Sequence, residues 1–152
     1  MDQIRKMLER EAEAVLNLWN DNSLEAAGAS LSAPEAAGVL AALRRYAAHP
    51  QAFCLVAEAE SGLVGFLTAC IDSHPVLEGL SGEIEELYVQ PQSRRTGIGS
   101  ALVLQAAAML RQQGAETLRV LACTESPVAR AFWLGLGWEQ DLVVYSLYQG
   151  GG

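Results

Sequence analysis

The chain has 152 residues, a formal net charge of −8 and a hydrophobic content of 51%, which suits one ordinary domain with a full core. A net negative charge repels nucleic-acid backbones, so DNA and RNA are not expected partners. The three cysteines form no C-x-x-C pair, so neither a disulfide framework nor a metal site is predicted. No apolar run reaches the ~18 residues of a membrane span, and the charged N-terminus lacks the apolar region of a signal peptide. We therefore predict a cytoplasmic protein with no membrane partner.

Hydrophobic periodicity predicts helices early in the chain. The pattern predicts, in order, a strand over residues 3–8, a helix over 9–20, a loop or broken helix over 21–30, and a helix over 32–47. The start of the second helix carries its own signal. Ser32 can cap it, Pro34 suits its first turn, and Glu35 lies three residues after the cap, as in a capping box.

Strands and helices alternate through the rest of the chain. The pattern predicts strands over 51–58 and 62–72 joined by a hairpin turn at 60–62, a strand over 82–89, a helix over 97–113, a strand over 117–122, a helix from 126 to 135–137, and a strand over 139–148. This order predicts an α/β fold whose single sheet is partly antiparallel, partly parallel and covered by helices. With no repeat or linker, the chain is predicted to be one domain over residues 1–149, followed by a glycine tail over 150–152.

One strand-to-helix turn, within the segment EELYVQPQSRRTGIGSALV at residues 85–103, has an unusual composition. A helix N-terminus presents unpaired N–H groups and a positive dipole end. Glycines let a phosphate approach this backbone closely, and paired arginines add charge-assisted hydrogen bonds, so the turn suits a pyrophosphate. The segment lacks the Gly-Lys-Ser/Thr of a P-loop, and it has Leu102 where the dinucleotide fingerprint needs a third glycine.

Two blocks of the sequence resemble the GCN5-related N-acetyltransferase (GNAT) family. Arg94-x-x-Gly97-x-Gly99, preceded by LYVQP at residues 87–91, is similar to the acetyl-CoA motif of that family. SPVARAFWLGLGW at residues 126–138 is similar to the next helix of the family, commonly N-x-x-A-x-x-F-Y-x-x-x-G-F. The resemblance implies a GNAT-like fold, with a mixed and mostly antiparallel sheet, flanking helices and a pair of parallel strands that splay apart.

The resemblance also implies where acetyl-CoA, used as a cosubstrate, would bind. It would lie between the strands at residues 82–89 and 117–122, which are the splayed pair. The backbone of Leu87, Tyr88 and Val89 would pair with the pantetheine amides much as an added strand would. The turn and the helix at 126 would supply the other cofactor contacts, from Arg94, Arg95, Thr96, Gly97, Ile98, Gly99, Ser100, Ser126 and Trp133.

Acetyl transfer to an amine needs a base, because an alkylammonium with a pKa of ~10.4 is protonated at neutral pH. Glu83 lies where several family members place their base, Glu85 is the second candidate, and Glu86 is the third. Neighbouring carboxylates can raise one another's pKa toward the working pH. The alternative is that these glutamates form a solvated strand face or a cation-binding rim.

The leaving thiolate has no evident proton donor. Trp133 stands where the family commonly has a tyrosine, and an indole N–H is not a usable acid at neutral pH. The thiolate can leave unaided, since a thiol pKa of ~8.5 makes it a fair leaving group. Protonation by water, or by Tyr88 or Tyr145, stays open. Ser126 replaces the family's asparagine and can still cap its helix.

These observations predict an acetyl-CoA-dependent N-acetyltransferase that moves an acetyl group directly to a primary amine of a small molecule or peptide. Trp133 raises an alternative, a non-catalytic acyl-CoA-binding or sensor module with the same fold. The resemblance implies that the acceptor pocket is built mainly from the first helices and from loops, here residues 20–35 and 73–81. Dimers are frequent in the family, which leaves a homodimer open.

Overall fold

The computed structural model describes residues 3–73, 79–122, 126–141 and 144–147. The chain forms two compact units, Met1–Leu121 and Ala122–Gly152. The described residues of the first unit hold a sheet and three α-helices, and those of the second hold one short α-helix. The predicted glycine tail at 150–152 lies outside the described residues.

The first unit follows the predicted order of elements. Its bounds are β1 Gln3–Lys6, α1 Ala12–Ala27, α2 Ala33–Tyr46, β2 Ala52–Ala59, β3 Gly62–Ser73, β4 Leu80–Val89, α3 Ile98–Gln112 and β5 Ala115–Val120. Short 3-10 helices precede α1 at Glu9–Glu11 and α3 at Pro91–Ser93. Both β4 and β5 begin two residues earlier than predicted, and β5 ends at Val120 rather than at residue 122.

The five strands form one sheet in the order β1-β2-β3-β4-β5. Neighbouring strands are antiparallel except for β4 and β5, which are parallel. This confirms the predicted α/β fold with a mixed and mostly antiparallel sheet. The parallel pair is joined through α3, as a parallel connection requires.

Alternate strand residues send their side chains to two different layers of helix. Cys54, Val56 and Phe66 belong to a core cluster with residues of α1 and α2. Leu55 and Leu67, one position along, are fully buried outside that cluster, so they face the opposite layer, where α3 packs on the sheet. The sheet therefore has an α1/α2 face and an α3 face, and each is sealed by apolar side chains.

The first helix is longer than predicted. Residues 21–27, predicted as a loop or broken helix, continue α1 to Ala27. Gly28 then ends the helix in the left-handed conformation, with a φ of 72°, which glycine adopts without steric cost. The turn formers near residue 21 are overridden because Asn22 and Glu25 make contacts with β4 and with the turn after it. The predicted cap of α2 is confirmed, since Ser32 and Glu35 form a capping box.

The second unit contains α4, Pro127–Gly135, which begins where predicted. The Ser126 hydroxyl accepts a hydrogen bond from the Ala129 N–H at 3.2 Å. The predicted final strand over 139–148 is wrong for residues 139–141 and 144–147, which lie in no strand; residues 142, 143 and 148 lie outside the described residues. Alternating apolar residues predicted it, but a strand also needs a partner's backbone, and the side chains of Val144, Tyr145 and Leu147 are exposed.

Among the residues that the structure describes, no helix combines the length and the apolar content that crossing a bilayer requires.

Candidate active site

The parallel strands separate halfway along β4. Their pairing ends at Ile84 and Val120, whereas β4 continues to Val89 beside β3. The Gln90 N–H donates to the Val64 carbonyl on β3 at 2.8 Å. Because backbone groups alternate between the two edges of a strand, those of Leu87 and Val89 point to the edge that β5 has left. This open edge can accept an extended ligand as an added strand.

Tyr88 differs from its two neighbours. Its backbone groups face β3 by the same alternation, and its ring is buried in the core of the α1/α2 face. The Arg94 guanidinium lies over this ring, 5.6 Å from its centroid. The predicted backbone contact to a cofactor therefore suits Leu87 and Val89, while Tyr88 supports the arginine that follows the strand.

The turn before α3 has the geometry of an anion site. The helical hydrogen bonds begin where the Ala101 N–H donates to the Gly97 carbonyl at 2.9 Å, so the N–H groups of Ile98, Gly99 and Ser100 precede them. Gly97 has a φ of 86°, and a Cβ placed on it would meet no atom within 4 Å. Open space therefore lies directly in front of the positive end of the helix dipole.

The two arginines of this turn have different environments. Arg94 donates through Nε to the Val89 carbonyl at 2.8 Å and through Nη1 and Nη2 to the Glu25 carboxylate at 2.6 and 2.5 Å. The ion pair holds the pKa of Glu25 below its usual range. Arg95 adopts a left-handed φ of 65°, is exposed, and has no hydrogen bond or ion pair within the described part of the chain. Of the two arginines, Arg95 is therefore the one whose charge is not paired with a carboxylate of the described residues.

A β-bulge brings three carboxylates to one face of β4. Thr68 pairs with Glu86 and Ala69 pairs with Ile84, so Glu85 is an extra residue on its strand. Such an insertion resets the alternation of side chains. Glu83, Glu85 and Glu86 consequently all lie on the α1/α2 face. No group of three or more His, Cys, Asp or Glu side chains in the described residues is arranged to hold a metal ion.

The three carboxylates have different partners. Glu83 forms an ion pair with Arg119 of β5 at 3.2 Å, next to the last pairs of the two strands. Glu86 accepts a hydrogen bond from Asn22 of α1 at 2.9 Å, and burial raises its pKa despite that bond. Both are therefore engaged by neighbouring elements of the fold.

The surroundings of Glu85 orient its carboxylate and shift its pKa. The Tyr46 hydroxyl donates to its two carboxylate oxygens, at 2.8 and 3.0 Å. The carboxylate keeps contact with solvent, yet shielding by surrounding protein atoms raises its pKa, the Tyr46 hydrogen bond opposes that rise, and the Glu83 charge adds to it. Burial and the Glu85 charge raise the pKa of Tyr46 in turn, so its hydroxyl stays protonated and remains a donor at working pH.

Sequence reasoning missed Tyr46. It lies in the last turn of α2, far from both motifs, and no local pattern marks it. Tyr88, named as a substitute proton donor, is buried, and burial raises its pKa, which makes it a weaker acid.

Of the three remaining predicted cofactor residues, Thr96 donates its hydroxyl hydrogen to the Ser93 carbonyl at 2.6 Å, and the other two lie in the second unit. Ser126 caps α4, as described above. Trp133 is buried and packs against Phe132 and Trp138, with ring centroids 5.1 and 4.8 Å apart. The other proposed donor, Tyr145, is exposed over 93% of its surface.

Comparison with known proteins identifies the family. A family model described as the acetyltransferase (GNAT) family matches residues 9–138. No match was found among curated proteins. Because the family match covers most of the chain, the protein belongs to the GNAT family. It is an N-acetyltransferase with acetyl-CoA as its cosubstrate, as the two sequence blocks predicted.

Solved structures share the fold at low sequence identity. A transcriptional regulator from Bacillus halodurans C-125 has a TM-score of 0.84 at 19% identity, over 97% of this chain and 99% of that chain. An aminoglycoside N-acetyltransferase in complex with CoA has a TM-score of 0.81 at 18% identity, over 98% and 95%. A ribosomal-protein-alanine N-acetyltransferase from Brucella melitensis biovar Abortus 2308 has a TM-score of 0.77 at 20% identity, over 99% and 100%. At these identities the likeness establishes the fold.

Proposed function

We propose that this protein transfers an acetyl group from acetyl-CoA directly to a primary amine of a small molecule or peptide, with Glu85 as the general base. The observation that carries this assignment is the position of Glu85. Its carboxylate has a raised pKa, is oriented by Tyr46, and stands at the bulge where β4 leaves β5. Glu83, the first candidate from the sequence, is paired with Arg119 instead.

The cofactor contacts follow from the open edge and the turn. The backbone of Leu87 and the Val89 N–H would pair with the pantetheine amides, while the Val89 carbonyl accepts its hydrogen bond from Arg94. The pyrophosphate would bind the N–H groups at the start of α3, with Arg95 adding an uncommitted positive charge. When bound, acetyl-CoA supplies a thioester whose carbonyl carbon accepts the amine nitrogen; a C–N bond forms, the C–S bond breaks, and CoA leaves as a thiolate.

Glu85 would remove the first proton from the acceptor amine. The acceptor arrives as an ammonium, because its pKa of ~10.4 keeps it protonated at neutral pH. The Glu85 carboxylate takes one proton from it, directly or through one water, and frees the nitrogen lone pair. The nitrogen loses its second proton to solvent, and solvent protonates the departing thiolate. In total, an ammonium and a thioester give an amide, a thiol and one released proton. A raised pKa brings the base closer to working pH, which favours this step.

A screen of acceptors tests the proposal. Thiol release from acetyl-CoA is measured across alkylamines, aminoglycosides and peptides with a free N-terminus or lysine, and acetyl-CoA affinity is measured separately. Turnover with at least one amine supports the transferase. Tight acetyl-CoA binding with no turnover on any amine contradicts it.

That second result would favour a different function, a non-catalytic acyl-CoA-binding or sensor module. The feature behind it is Trp133, which stands where the family commonly has a tyrosine and is packed against two other aromatic rings. One protein of the same fold is described as a transcriptional regulator. A response of acetyl-CoA binding, but not of thiol release, to Trp133→Tyr would support the binding module.

Other parts of the sequence interpretation stay predictions. The family match spans both compact units, which supports the proposal that residues 1–149 act as one domain. Contacts of Thr96, Ser126 and Trp133 with the cofactor, a cytoplasmic location and a homodimer are likewise proposed.

A further inference from the structure

A small cavity opens beside Glu85 on the α1/α2 face of the sheet. It has a volume of about 120 Å³ and lies between α1, α2 and strands β3 and β4. Its lining is formed by Trp19, Ala42, Leu43, Tyr46, Thr68 and Glu85. A larger hollow of about 740 Å³ is lined by Leu8, Glu9, Arg10 and Arg44, and it includes neither Glu85 nor any other residue of the candidate site.

The floor of this cavity carries a polar group without a partner. Thr68 is 2% exposed, and its Oγ1 is buried with no hydrogen bond among the described residues. A buried hydroxyl without a partner destabilises the folded protein, so such groups in native structures need an explanation. A ligand that donates a hydrogen bond to Thr68 would supply that partner.

The rest of the lining defines the shape and charge of the ligand. Trp19 stacks on Phe66 with ring centroids 5.5 Å apart, and Leu43 is 1% exposed, so the walls are fixed and apolar. The one ionisable carboxylate in the lining is Glu85. An occupant with a cationic hydrogen-bond donor at one end and methylene groups behind it would satisfy the carboxylate, the hydroxyl and the apolar walls together.

The volume limits how large this occupant can be. An apolar protein cavity of ~150 Å³ holds one benzene ring, so about 120 Å³ holds a chain of roughly five non-hydrogen atoms. An unbranched aminoalkyl group fits this space. A sugar ring with its substituents does not.

We propose that this cavity is the acceptor subsite and that it takes the terminal aminoalkyl group of an unbranched primary amine, with the ammonium between Glu85 and the Thr68 hydroxyl. The assignment rests on the proposed acetyl transfer, because the cavity places the amine beside the proposed base. It differs from the expectation that residues 20–35 and 73–81 form the pocket, since the cavity uses the second half of α2 and the middle of β3.

A series of acceptors tests the size limit. With saturating acetyl-CoA, kcat/KM is measured for n-propylamine and n-butylamine, which fit the cavity, and for cyclohexylamine and an aminoglycoside, which exceed it. The unbranched amines should exceed the cyclic ones by at least about tenfold. Equal or higher kcat/KM for the bulky amines would overturn the proposed subsite while leaving the acetyltransferase function intact.

Two variants with matched controls test the lining. Thr68→Val keeps the shape and removes the hydroxyl; it should raise KM for n-butylamine about tenfold, leave KM for acetyl-CoA unchanged, and not lower Tm. Ala42→Leu should fill the cavity and reduce kcat/KM for n-butylamine by a larger factor. Ser61→Ala, in the turn between β2 and β3, also removes a hydroxyl, and Ala41→Leu on α2 repeats the second change one residue away. Both positions are exposed, and both controls should leave both KM values unchanged. Equal effects of variant and control would contradict the subsite.

Direct binding separates this inference from the proposed function. n-Butylammonium is titrated into the wild-type protein and into Ala42→Leu by calorimetry, with CoA present. If no amine is acetylated, binding that Ala42→Leu abolishes would still support the cavity as an alkylammonium site. Absence of binding to the wild-type protein would overturn the inference, whatever the acceptor screen shows.

Discussion

The two halves of β4 differ in what borders them. Up to Ile84 the strand is paired on both edges, and its carboxylate Glu83 is held by Arg119 of the neighbouring strand. From Glu85 onward one edge is open, and the carboxylate is held by Tyr46, a residue of α2. The first half therefore contributes to the stability of the sheet, and the second is available to ligands. Substitutions in the two halves should separate stability from activity.

Removing the charge of Glu85 should have the largest effect. Glu85→Gln should lower kcat about 100-fold or more, which is the usual contribution of a general base, while acetyl-CoA affinity stays unchanged. Glu83→Gln is the matched control two residues away. It should lower kcat by less than tenfold but reduce stability by ~0.5–1 kcal/mol, because it breaks a partly exposed ion pair. A larger loss of kcat in Glu83→Gln would reverse the assignment of the base.

Glu85→Gln should also change how the stability of the protein depends on pH. The pKa of Glu85 is raised in the folded state, so the fold favours its protonated form. Its ionisation therefore destabilises the protein increasingly as pH rises from the ordinary glutamate pKa of 4.5 through the raised value. Glu85→Gln should have a Tm equal to or above that of the wild type at pH 7, and the difference should shrink at pH 4. A lower Tm at pH 7 would contradict this.

Blocking the space before α3 should have the next largest effect. Gly97→Glu places a negative side chain in the open space where a pyrophosphate would bind, so acetyl-CoA affinity should fall at least about tenfold, or 1.4 kcal/mol. Gly28→Glu is the control, because Gly28 has a similar φ of 72° and a Cβ placed on it would also meet no atom within 4 Å. Both variants carry the same strain and charge, so similar affinities measured by calorimetry would refute the site.

Removing the Tyr46 hydroxyl should have a smaller effect, visible mainly at acid pH. The hydrogen bond from Tyr46 favours the ionised form of Glu85 and lowers its pKa. Tyr46→Phe should therefore move the acid limb of the kcat profile to higher pH, with a loss of kcat of about tenfold or less on that limb. His49→Asn is the control, because it changes a ring that lies near Tyr46. An unshifted acid limb would show that Tyr46 does not tune the base.

The smallest effect is expected at the ion pair beside the open edge. Glu25→Gln releases Arg94, whose guanidinium can then bind the pyrophosphate, and acetyl-CoA affinity should rise about threefold. Glu13→Gln changes the net charge equally on the same helix, where Glu13 makes only a 3.8 Å ion pair with Arg44. A gain of similar size in the control would attribute the effect to net charge rather than to Arg94.

Much of the fold was predictable because its signals are local. The capping box at Ser32 and the alternation of strands and helices each depend on a few adjacent residues. The turn before α3, the proposed pyrophosphate site, carries a local signal of the same kind, since its arginines and glycines lie within six residues of one another. The extension of α1 to Ala27 was not, because contacts with β4 and with the following turn decide it.

The choice among the glutamates required the structure. Strict alternation puts Glu83 and Glu85 on one face and Glu86 on the other, and nothing in the sequence marks the bulge that changes this. Tyr46 and Thr68 approach Glu85 only through the packing of α2 on the sheet. Residues brought together over such distances along the chain carry no shared motif.

The bulge at Glu85 also matters for comparing relatives. Because it is an extra residue, it reverses the alternation of side chains between the two faces for the rest of β4. The Tyr88 side chain therefore enters the core, while the backbone of Leu87 and Val89 points to the open edge. Deleting Glu85 would remove the bulge, leave Ile84 and Glu86 as consecutive partners of Ala69 and Thr68, and keep the faces of the residues that follow. A gap at residue 85 in an alignment would therefore indicate loss of the proposed base in a strand whose other positions are unchanged.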